Sequence, residues 1–315
     1  MKWKTKCIVT AIVSLCLISL SGCSTVNDQL SQTTANGLTS EQTSIWQALS
    51  HQFKFQKDHA QPLVQQEIRF IKANPRYLQT LTRNAQPFIQ YVSSQVSARH
   101  MPAEIACLPM IESSYNPFLV SKSGATGIWQ MMPGTATGWG LSINWWYDSR
   151  RDIVASTTAA LDYLDYLHRY FNNWQLAIAA YNAGEGTVEN AILFNQRHHK
   201  PTDFWHLSLP AETKMYLPKL LAVTALLQPN GPMKKSLFFV STTPYVTTFQ
   251  LQHQFSLPIL ANLTDTSEQQ IRQLNPGFRR FSTGPKNRKL LIPINKLETF
   301  EHNLSTYTGS TITWR

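Results

Sequence analysis

Acidic residues are scarce in this sequence, which holds 18 Asp and Glu against 28 Lys and Arg in 315 residues. The resulting net charge of +10 predicts a surface that favours anionic partners such as nucleic acid, anionic lipid or an acidic polymer, and charge alone does not choose among them. The Gly-rich loops that bind nucleotide phosphates and the acidic loop of EF-hands are absent from the sequence. We therefore expect no organic cofactor.

Residues that could form disulfides or bind a metal are also few. The sequence has four cysteines, and only Cys23 and Cys107 remain if a leader ending at residue 22 is removed, so we expect no intramolecular disulfide. Cys107 lies in an apolar run and is predicted to pack in the core. The adjacent His198 and His199 lack a spacing that converges on one ion, which predicts a basic surface loop and no metal site.

The apolar run near the N-terminus, from Ile8 to Leu20, is too short to span a bilayer comfortably. It follows three lysines and ends at Leu20-Ser21-Gly22-Cys23, which resembles the lipobox of bacterial lipoproteins. The resemblance predicts a signal peptide at 1–22, lipid on Cys23 and attachment to a membrane through that lipid. The expected location is the periplasmic face of the outer membrane, with inner-membrane anchoring less favoured. An ordinary signal peptide or a short anchor is the alternative.

Composition divides the rest of the chain into four parts. Residues 23–44 are rich in Ser, Thr, Gln and Asn, which predicts a flexible tether. Residues 45–99 have apolar positions at helical spacings with proline breaks, so we expect short helices packed on the central part of the chain. Residues 100–232 are predicted to form that central part, a largely helical domain. Residues 237–300 are β-branched and punctuated by proline, which predicts a small βααβ module. The expected fold is therefore mainly α with a small α+β module.

Glu112 is the candidate for chemistry. It ends an apolar helix ahead of a turn at Asn116-Pro117, which predicts a carboxyl group at the edge of a cleft. Desolvation there raises a carboxyl pKa, as a general acid at neutral pH requires. A solvated surface position is the alternative, and it is the simplest interpretation of Glu104, Glu185 and Glu189.

A Gly-rich segment at 121–133 lies next in the sequence after the candidate acid. Gly124 and Gly127 permit close approach of the backbone to a ligand, the Gln130 amide can donate and accept hydrogen bonds, and Met132 supplies an adaptable apolar wall. These features suit an N-acetylated sugar. A Gly-rich turn with a methionine in the core is the alternative.

Three motifs occur in order: Glu112-Ser113, Gly127-Ile128-Trp129-Gln130-Met131-Met132-Pro133, and Ala180-Tyr181-Asn182-Ala183-Gly184. Together they resemble the lytic transglycosylases with a goose-lysozyme-like fold, and the likeness covers roughly residues 66–228. The resemblance implies a lysozyme-like helical catalytic domain that cleaves the MurNAc–GlcNAc β-1,4 bond without water, leaving 1,6-anhydro-MurNAc ends. It implies peptidoglycan glycan strands as the partner, no nucleic acid and no cofactor; no particular protein partner is indicated.

Carried over by position, the resemblance implies that Glu112 is the one catalytic residue, acting first as acid and then as base. The implied substrate-binding residues are Ser121, Gln130, Met132, Tyr181, Asn182 and Tyr216. Tyr181 is expected to form a hydrogen bond near Glu112. A helix-end role for Asn182 and core packing for Tyr216 are the alternatives. Two other functions stay open: a lysozyme-type hydrolase, which uses two carboxylates, and a non-catalytic wall-binding lipoprotein.

The C-terminal part contains Asn275-Pro276 and the strand-like stretch Leu290-Leu291-Ile292-Pro293, and it resembles a degenerate LysM sugar-binding module. The Gly-Asp-Thr-Leu opening usual for that module is absent. Glycan binding and a purely structural addition are therefore both open. Its basic residues could instead face an anionic wall polymer or a lipid surface.

Overall fold

The computed structural model describes residues 43–228, 231–284 and 288–309. The expected signal peptide, Cys23 and almost all of the expected tether lie outside these ranges. Within them, no helix combines the length and the apolar character needed to cross a bilayer.

Four short helices form the N-terminal part: α1 (Ile45–Ser50), α2 (Pro62–Ala73), α3 (Pro75–Ala85) and α4 (Ile89–Ala98). Each start has a local cause. The Ser44 side chain accepts a hydrogen bond from the Trp46 amide and caps α1. Pro62 and Pro75 occupy the first positions of α2 and α3, where a missing N–H costs nothing. The short, proline-broken helices predicted from the sequence are confirmed.

Six helices form the central part: α5 (Leu108–Ser113), α6 (Pro133–Gly138), α7 (Ile153–Phe171), α8 (Trp174–Ala183), α9 (Glu185–Arg197) and α10 (Ala211–Leu226). Asp152 caps α7 by accepting a hydrogen bond from the Ala155 amide, and Asn173 caps α8. The apolar face of α7 is buried, since Ala160 and Leu164 have no exposed area.

One hydrophobic core joins these helices. It runs from the N-terminal helices to α10, with α2 packed on α10 and α7 packed on α8. Cys107 lies in this core as predicted, and burial raises the pKa of its thiol. The N-terminal helices therefore have no core of their own and depend on the central helices for burial.

Glu104 contradicts its predicted solvated position. It lies in a 3₁₀ turn at Ala103–Cys107 and has no exposed area. Its Oε1 accepts hydrogen bonds from the amides of Lys54 (2.5 Å) and Phe55 (2.7 Å). Burial raises the pKa of the Glu104 carboxyl, and these amides offset part of that rise. The buried carboxyl therefore links the loop after α1 to the central domain.

The C-terminal module is the predicted small α+β unit. Strands β1 (Val246–Gln250) and β2 (Lys289–Pro293) pair antiparallel, with Val246 opposite Pro293. Helices α11 (Leu257–Leu263) and α12 (Glu268–Leu274) lie between them in sequence, and α13 (Leu297–Ser305) comes after β2, one helix more than the predicted βααβ. Most of its apolar side chains form a second buried cluster.

The module is joined to the central domain at the loop before α7. The Asp148 amide donates to the carbonyl of Gly277 (2.9 Å), and the Arg279 amide donates to the carbonyl of Trp146 (2.9 Å). The ring of Tyr147 packs on Phe278 with 5.3 Å between centroids and belongs to the cluster of the module. Backbone hydrogen bonds and ring packing therefore hold the two parts together.

Candidate active site

A cleft of about 610 Å³ contains every site residue implied by the sequence motifs. These residues are Glu112, Ser121, Gln130, Met132, Tyr181, Asn182 and Tyr216. They come from α5, the loop after it, α8 and α10, which are far apart in the sequence. The fold therefore assembles on one surface the residues that the resemblance selects.

An unusual turn fixes Glu112 in the last turn of α5. Ser114 and Tyr115 both adopt positive φ (53° and 56°), a conformation that costs free energy in residues other than glycine. The Tyr115 hydroxyl donates to the carbonyl of Ala106 (2.7 Å), and the Ser113 hydroxyl donates to the carbonyl of Ile128 (3.0 Å). These bonds hold the strained turn in place and tie α5 to the loop that carries Gln130.

The Glu112 carboxyl is only partly exposed, and burial raises its pKa to about 7. The phenol of Tyr216 donates a hydrogen bond to its Oε1, which favours the carboxylate and lowers the pKa. The negative charge of Glu212 raises it. A group with this pKa is substantially protonated at neutral pH, so it can donate a proton and, once it is a carboxylate, accept one.

Tyr181 lies beside Glu112 in the cleft, but its hydroxyl donates to the carbonyl of Trp129 (2.8 Å). This bond ties α8 to the Gln130 loop. The hydrogen bond to the carboxyl comes from Tyr216, for which the sequence left core packing open. Tyr216 is indeed buried, with 6% of its surface exposed, yet its hydroxyl reaches the cleft.

Gln130 is oriented by its own loop. Its amide nitrogen donates to the carbonyls of Gly127 (2.8 Å) and Leu119 (3.2 Å). Both amide hydrogens are thus used within the protein. Within the described ranges its Oε1 accepts no hydrogen bond, so this acceptor remains available in a residue that lines the cleft.

Gly127 is required by the protein rather than by a ligand. Its φ is +85°, and an added Cβ would lie 1.9 Å from the carbonyl oxygen of Arg150. Arg150 is buried, pairs with Asp148 (2.8 Å) and donates to the carbonyl of Gly124 (2.8 Å). Gly124, at φ +89°, has open space where a Cβ would be. The loop before α7 therefore supports the Gly-rich loop from behind.

The remaining predicted residues differ in their exposure and in the hydrogen bonds that they form within the protein. Met132 is 42% exposed in the wall, so it is not the core methionine of the alternative. The Ser121 hydroxyl lies 2.9 Å from that of Ser123 and accepts a hydrogen bond from the Ala125 amide (3.0 Å). Asn182 accepts a hydrogen bond from Thr213 (2.8 Å), which links α8 to α10.

Glu212 and Tyr163 are among the cleft residues that the sequence did not single out. Glu212 is an exposed carboxylate in the first turn of α10, one helical turn before Tyr216, and this i, i+4 spacing places both on one helix face. That spacing was the available indication of a second carboxylate at the site. Tyr163 of α7 also lines the cleft.

In the described part of the chain, no group of three or more His, Cys, Asp and Glu residues could hold a metal ion.

Two family matches agree with this arrangement. Residues 92–204 match the family described as the transglycosylase SLT domain, and residues 245–309 match that described as the LysM-like domain of lytic transglycosylase MltD. Over these two stretches the chain belongs to the lytic transglycosylase family. The mainly helical fold and the two-stranded sheet of the LysM-like region agree with that membership.

Known proteins resemble this chain over part of its length and part of theirs. Membrane-bound lytic murein transglycosylase D of Escherichia coli strain K12 is 32% identical over 264 residues, which are 83% of this chain and 58% of that protein. Soluble lytic murein transglycosylase of the same strain is 33% identical over 139 residues, 41% of this chain and 21% of that protein. The solved structure of the 70 kDa soluble lytic transglycosylase of E. coli is 28% identical, covers 42% of this chain and 23% of that one, and gives a TM-score of 0.35. The chain thus spans little more than half the length of the first of these relatives.

Proposed function

We propose that this chain cleaves the MurNAc–GlcNAc β-1,4 bond of peptidoglycan by lytic transglycosylation, with Glu112 as acid and then base. The observation that carries the proposal is the position of Glu112, whose pKa is raised to about 7 in a cleft that also holds Tyr216, Gln130 and Met132. The SLT domain match and the murein transglycosylases among the relatives support the same substrate class.

The reaction can proceed with one carboxyl group. Protonated Glu112 donates its proton to the glycosidic oxygen, the bond from C1 to that oxygen breaks, and the 2-acetamido group assists at C1. The Glu112 carboxylate then takes the proton of the C6 hydroxyl, whose oxygen bonds to C1. No water is consumed and Glu112 regains its proton, so the cycle closes. The Tyr216 hydrogen bond orients the carboxyl in both steps.

The other cleft residues bind the substrate in this proposal. The unpaired Oε1 of Gln130 accepts a hydrogen bond from a sugar amide or hydroxyl, and Met132 packs on an apolar sugar face. Ser121 contributes its hydroxyl. Tyr181 and Asn182 position α8 against the Gln130 loop and α10 through their hydrogen bonds, and they complete the wall.

A lysozyme-type hydrolase is the second candidate, because Glu212 places a second carboxylate in the cleft. Hydrolysis uses such a residue as base or nucleophile. Mass spectrometry of digested peptidoglycan separates the two reactions: anhydro-muropeptides support transglycosylation, and reducing ends that carry an added water support hydrolysis.

The decisive test of the site is Glu112→Gln assayed on purified sacculi. We expect loss of activity by roughly 10²- to 10⁴-fold, the usual contribution of a positioned acid or base. Glu301→Gln is the matched control, because Glu301 is exposed on α13 and lies outside the cleft. Parental lysis by a folded Glu112→Gln variant would show that another residue is the acid.

We also propose attachment to the outer membrane through lipid on Cys23, with the protein facing the periplasm. The lipobox-like Leu20-Ser21-Gly22-Cys23 supports it, and the name of one relative describes that protein as membrane-bound. In this proposal residues 1–22 are the signal peptide and 23–44 the tether. Cys23→Ser should move the protein from the membrane to the soluble fraction, and unchanged fractionation would contradict the lipid anchor.

The proposed units of the folded part are an N-terminal helical segment at 45–99, a catalytic domain at 100–232 and a LysM-like module at 237–300. The packing of α2 on α10, the helix that carries Tyr216 into the cleft, supports including the helices outside the 92–204 match in the working unit. A chain cut to residues 92–204 should therefore not fold as an active domain.

A further inference from the structure

A row of aromatic rings leads away from Glu112 along α7. Tyr181 and Tyr163 line the cleft, with 5.6 Å between ring centroids. Trp139 lies 5.5 Å from Tyr163 and 5.8 Å from Tyr166, and Tyr170 lies 6.2 Å from Tyr166. We call these five residues the aromatic row. It begins inside the cleft and continues beyond it.

Three rings of the row lie on one face of α7, and the last of them reaches solvent. Tyr163, Tyr166 and Tyr170 are spaced i, i+3 and i+7, which places them on one side of a helix. At 1.5 Å per residue the three positions span about 10 Å. The inner rings pack one side on the core and remain partly exposed, whereas Tyr170 is 47% exposed. Core packing therefore accounts for the inner rings but not for Tyr170.

Two carboxylates of α9 border the row. The Tyr170 hydroxyl donates to Glu189 Oε1 (2.7 Å), and Glu185 lies near the Tyr166 hydroxyl and raises its pKa. Neither carboxylate forms an ion pair with a residue in the described ranges. A carboxylate accepts about four hydrogen bonds, so each keeps free acceptor sites beside the rings. Aromatic faces next to free acceptors form an amphipathic surface.

We propose that the aromatic row extends the cleft and binds further sugar rings of the glycan strand that occupies it. This inference rests on the proposed function for its ligand class. The aromatic faces pack against the C–H faces of successive sugars, and Glu185 and Glu189 accept hydrogen bonds from sugar hydroxyl groups. Contacts far from the cleaved bond then add binding free energy that only a strand long enough to reach Tyr170 can use.

The test measures binding of purified glycan strands in the inactive Glu112→Gln background, so that cleavage does not consume the ligand. Tyr170→Ala, Tyr170→Phe and Glu189→Gln are compared on long strands and on short fragments that fill only the cleft. Phe70→Ala is the matched control, because Phe70 is a 56% exposed aromatic residue on α2. We expect Tyr170→Ala to weaken binding of long strands by roughly three- to tenfold, with short fragments bound as before. Tyr170→Phe, which keeps the ring, should retain most of the affinity.

A Tyr170→Ala variant that binds long strands as tightly as its parent overturns the proposal, and so does equal weakening on long and short ligands. The active parental protein is assayed for anhydro products in parallel. Absence of those products contradicts the proposed function, whereas the length dependence of binding tests the aromatic row by itself. The two failures are therefore distinguishable.

Discussion

Tyr216 donates a hydrogen bond from its phenol to Oε1 of Glu112 across 104 residues of sequence. The bond stabilises the charged form of a carboxyl whose pKa burial raises to about 7. Tyr216 therefore lowers the pKa of Glu112, whereas desolvation raises this pKa and so makes the group an acid near neutral pH. The balance of the two effects sets the pH range in which the first proton transfer occurs.

Tyr216→Phe should move the alkaline limb of the pH–rate profile to higher pH. The first step needs protonated Glu112, so the parental rate falls as the pH rises through about 7. Loss of the Tyr216 hydrogen bond raises the pKa of Glu112 further and keeps the acid protonated at higher pH. The maximal rate should fall about tenfold, because the carboxyl loses its orientation. The measurement is the release of anhydro-muropeptides against pH.

Tyr181→Phe is the matched control for that profile. It also removes one phenol from the cleft, but this hydroxyl donates to the Trp129 carbonyl and not to Glu112. We expect a lower rate with the alkaline limb at the parental pH. Equal displacement of the limb in both variants would mean that the Tyr216 hydrogen bond does not set the pKa of Glu112.

The helices were largely predictable because their determinants are local. Asp152 and Asn173 cap α7 and α8, and Ala160 and Leu164 repeat at a helical interval, so start points and the buried face can be deduced from neighbouring residues. The predicted strand-like stretch at 290–293 also lies within one residue of the bounds of β2. Each of these features depends on residues a few positions apart.

The site residues were predictable only where they belong to a recognisable sequence motif. Glu112 and Gln130 were found by resemblance, whereas the pairing of Tyr216 with Glu112 joins α10 to α5 and leaves no local pattern. Glu104 looked like an ordinary helix residue because its burial results from Lys54 and Phe55, which lie about 50 positions earlier in the chain. Side-chain environment depends on such long-range contacts, so sequence spacing alone does not reveal it.

Glu112→Gln should stabilise the protein at alkaline pH. The folded pKa of about 7 exceeds the usual 4.5, so between these values the unfolded chain releases its proton first and stability falls as pH rises. The full penalty, on the order of 3 kcal/mol, is present above pH 7 and absent below about pH 4. Glutamine does not ionise. Urea unfolding at pH 4 and pH 8 should therefore show a gain for the variant only at pH 8.

Glu301→Gln, on the exposed face of α13, should change unfolding equally little at both pH values. A gain for Glu112→Gln of the same size at pH 4 and pH 8 would show that the effect arises from packing and not from ionisation of the carboxyl.

Gly127→Ala should disrupt the Gly-rich loop far more than Gly124→Ala. Both glycines have positive φ, so alanine costs about 1 kcal/mol of backbone strain at either position. Only at position 127 does the added Cβ also meet a backbone atom, the Arg150 carbonyl oxygen at 1.9 Å. Gly127→Ala should lower the melting temperature by several degrees more than Gly124→Ala and raise KM for glycan strands, because Gln130 moves with the loop. Equal melting temperatures would contradict the predicted clash.

Gly277→Ala should loosen the LysM-like module, because its Cβ would lie 2.8 Å from the ring of Tyr147. The ring is held by Phe278 on one side, by the guanidinium of Arg288 at 4.0 Å and by a hydroxyl hydrogen bond to Asp152, so it has little freedom to move aside.

Tyr147→Leu removes the clash and should recover part of the stability in the double variant with Gly277→Ala. A double-mutant cycle of urea unfolding curves measures this coupling. The loop that carries Tyr147 also carries Asp148, which holds Arg150 behind Gly124. Displacement of this loop in Gly277→Ala should therefore lower the affinity for glycan strands, and the double variant should recover part of that affinity. Additive losses in the cycle would mean that Tyr147 and Gly277 do not meet as the structure shows.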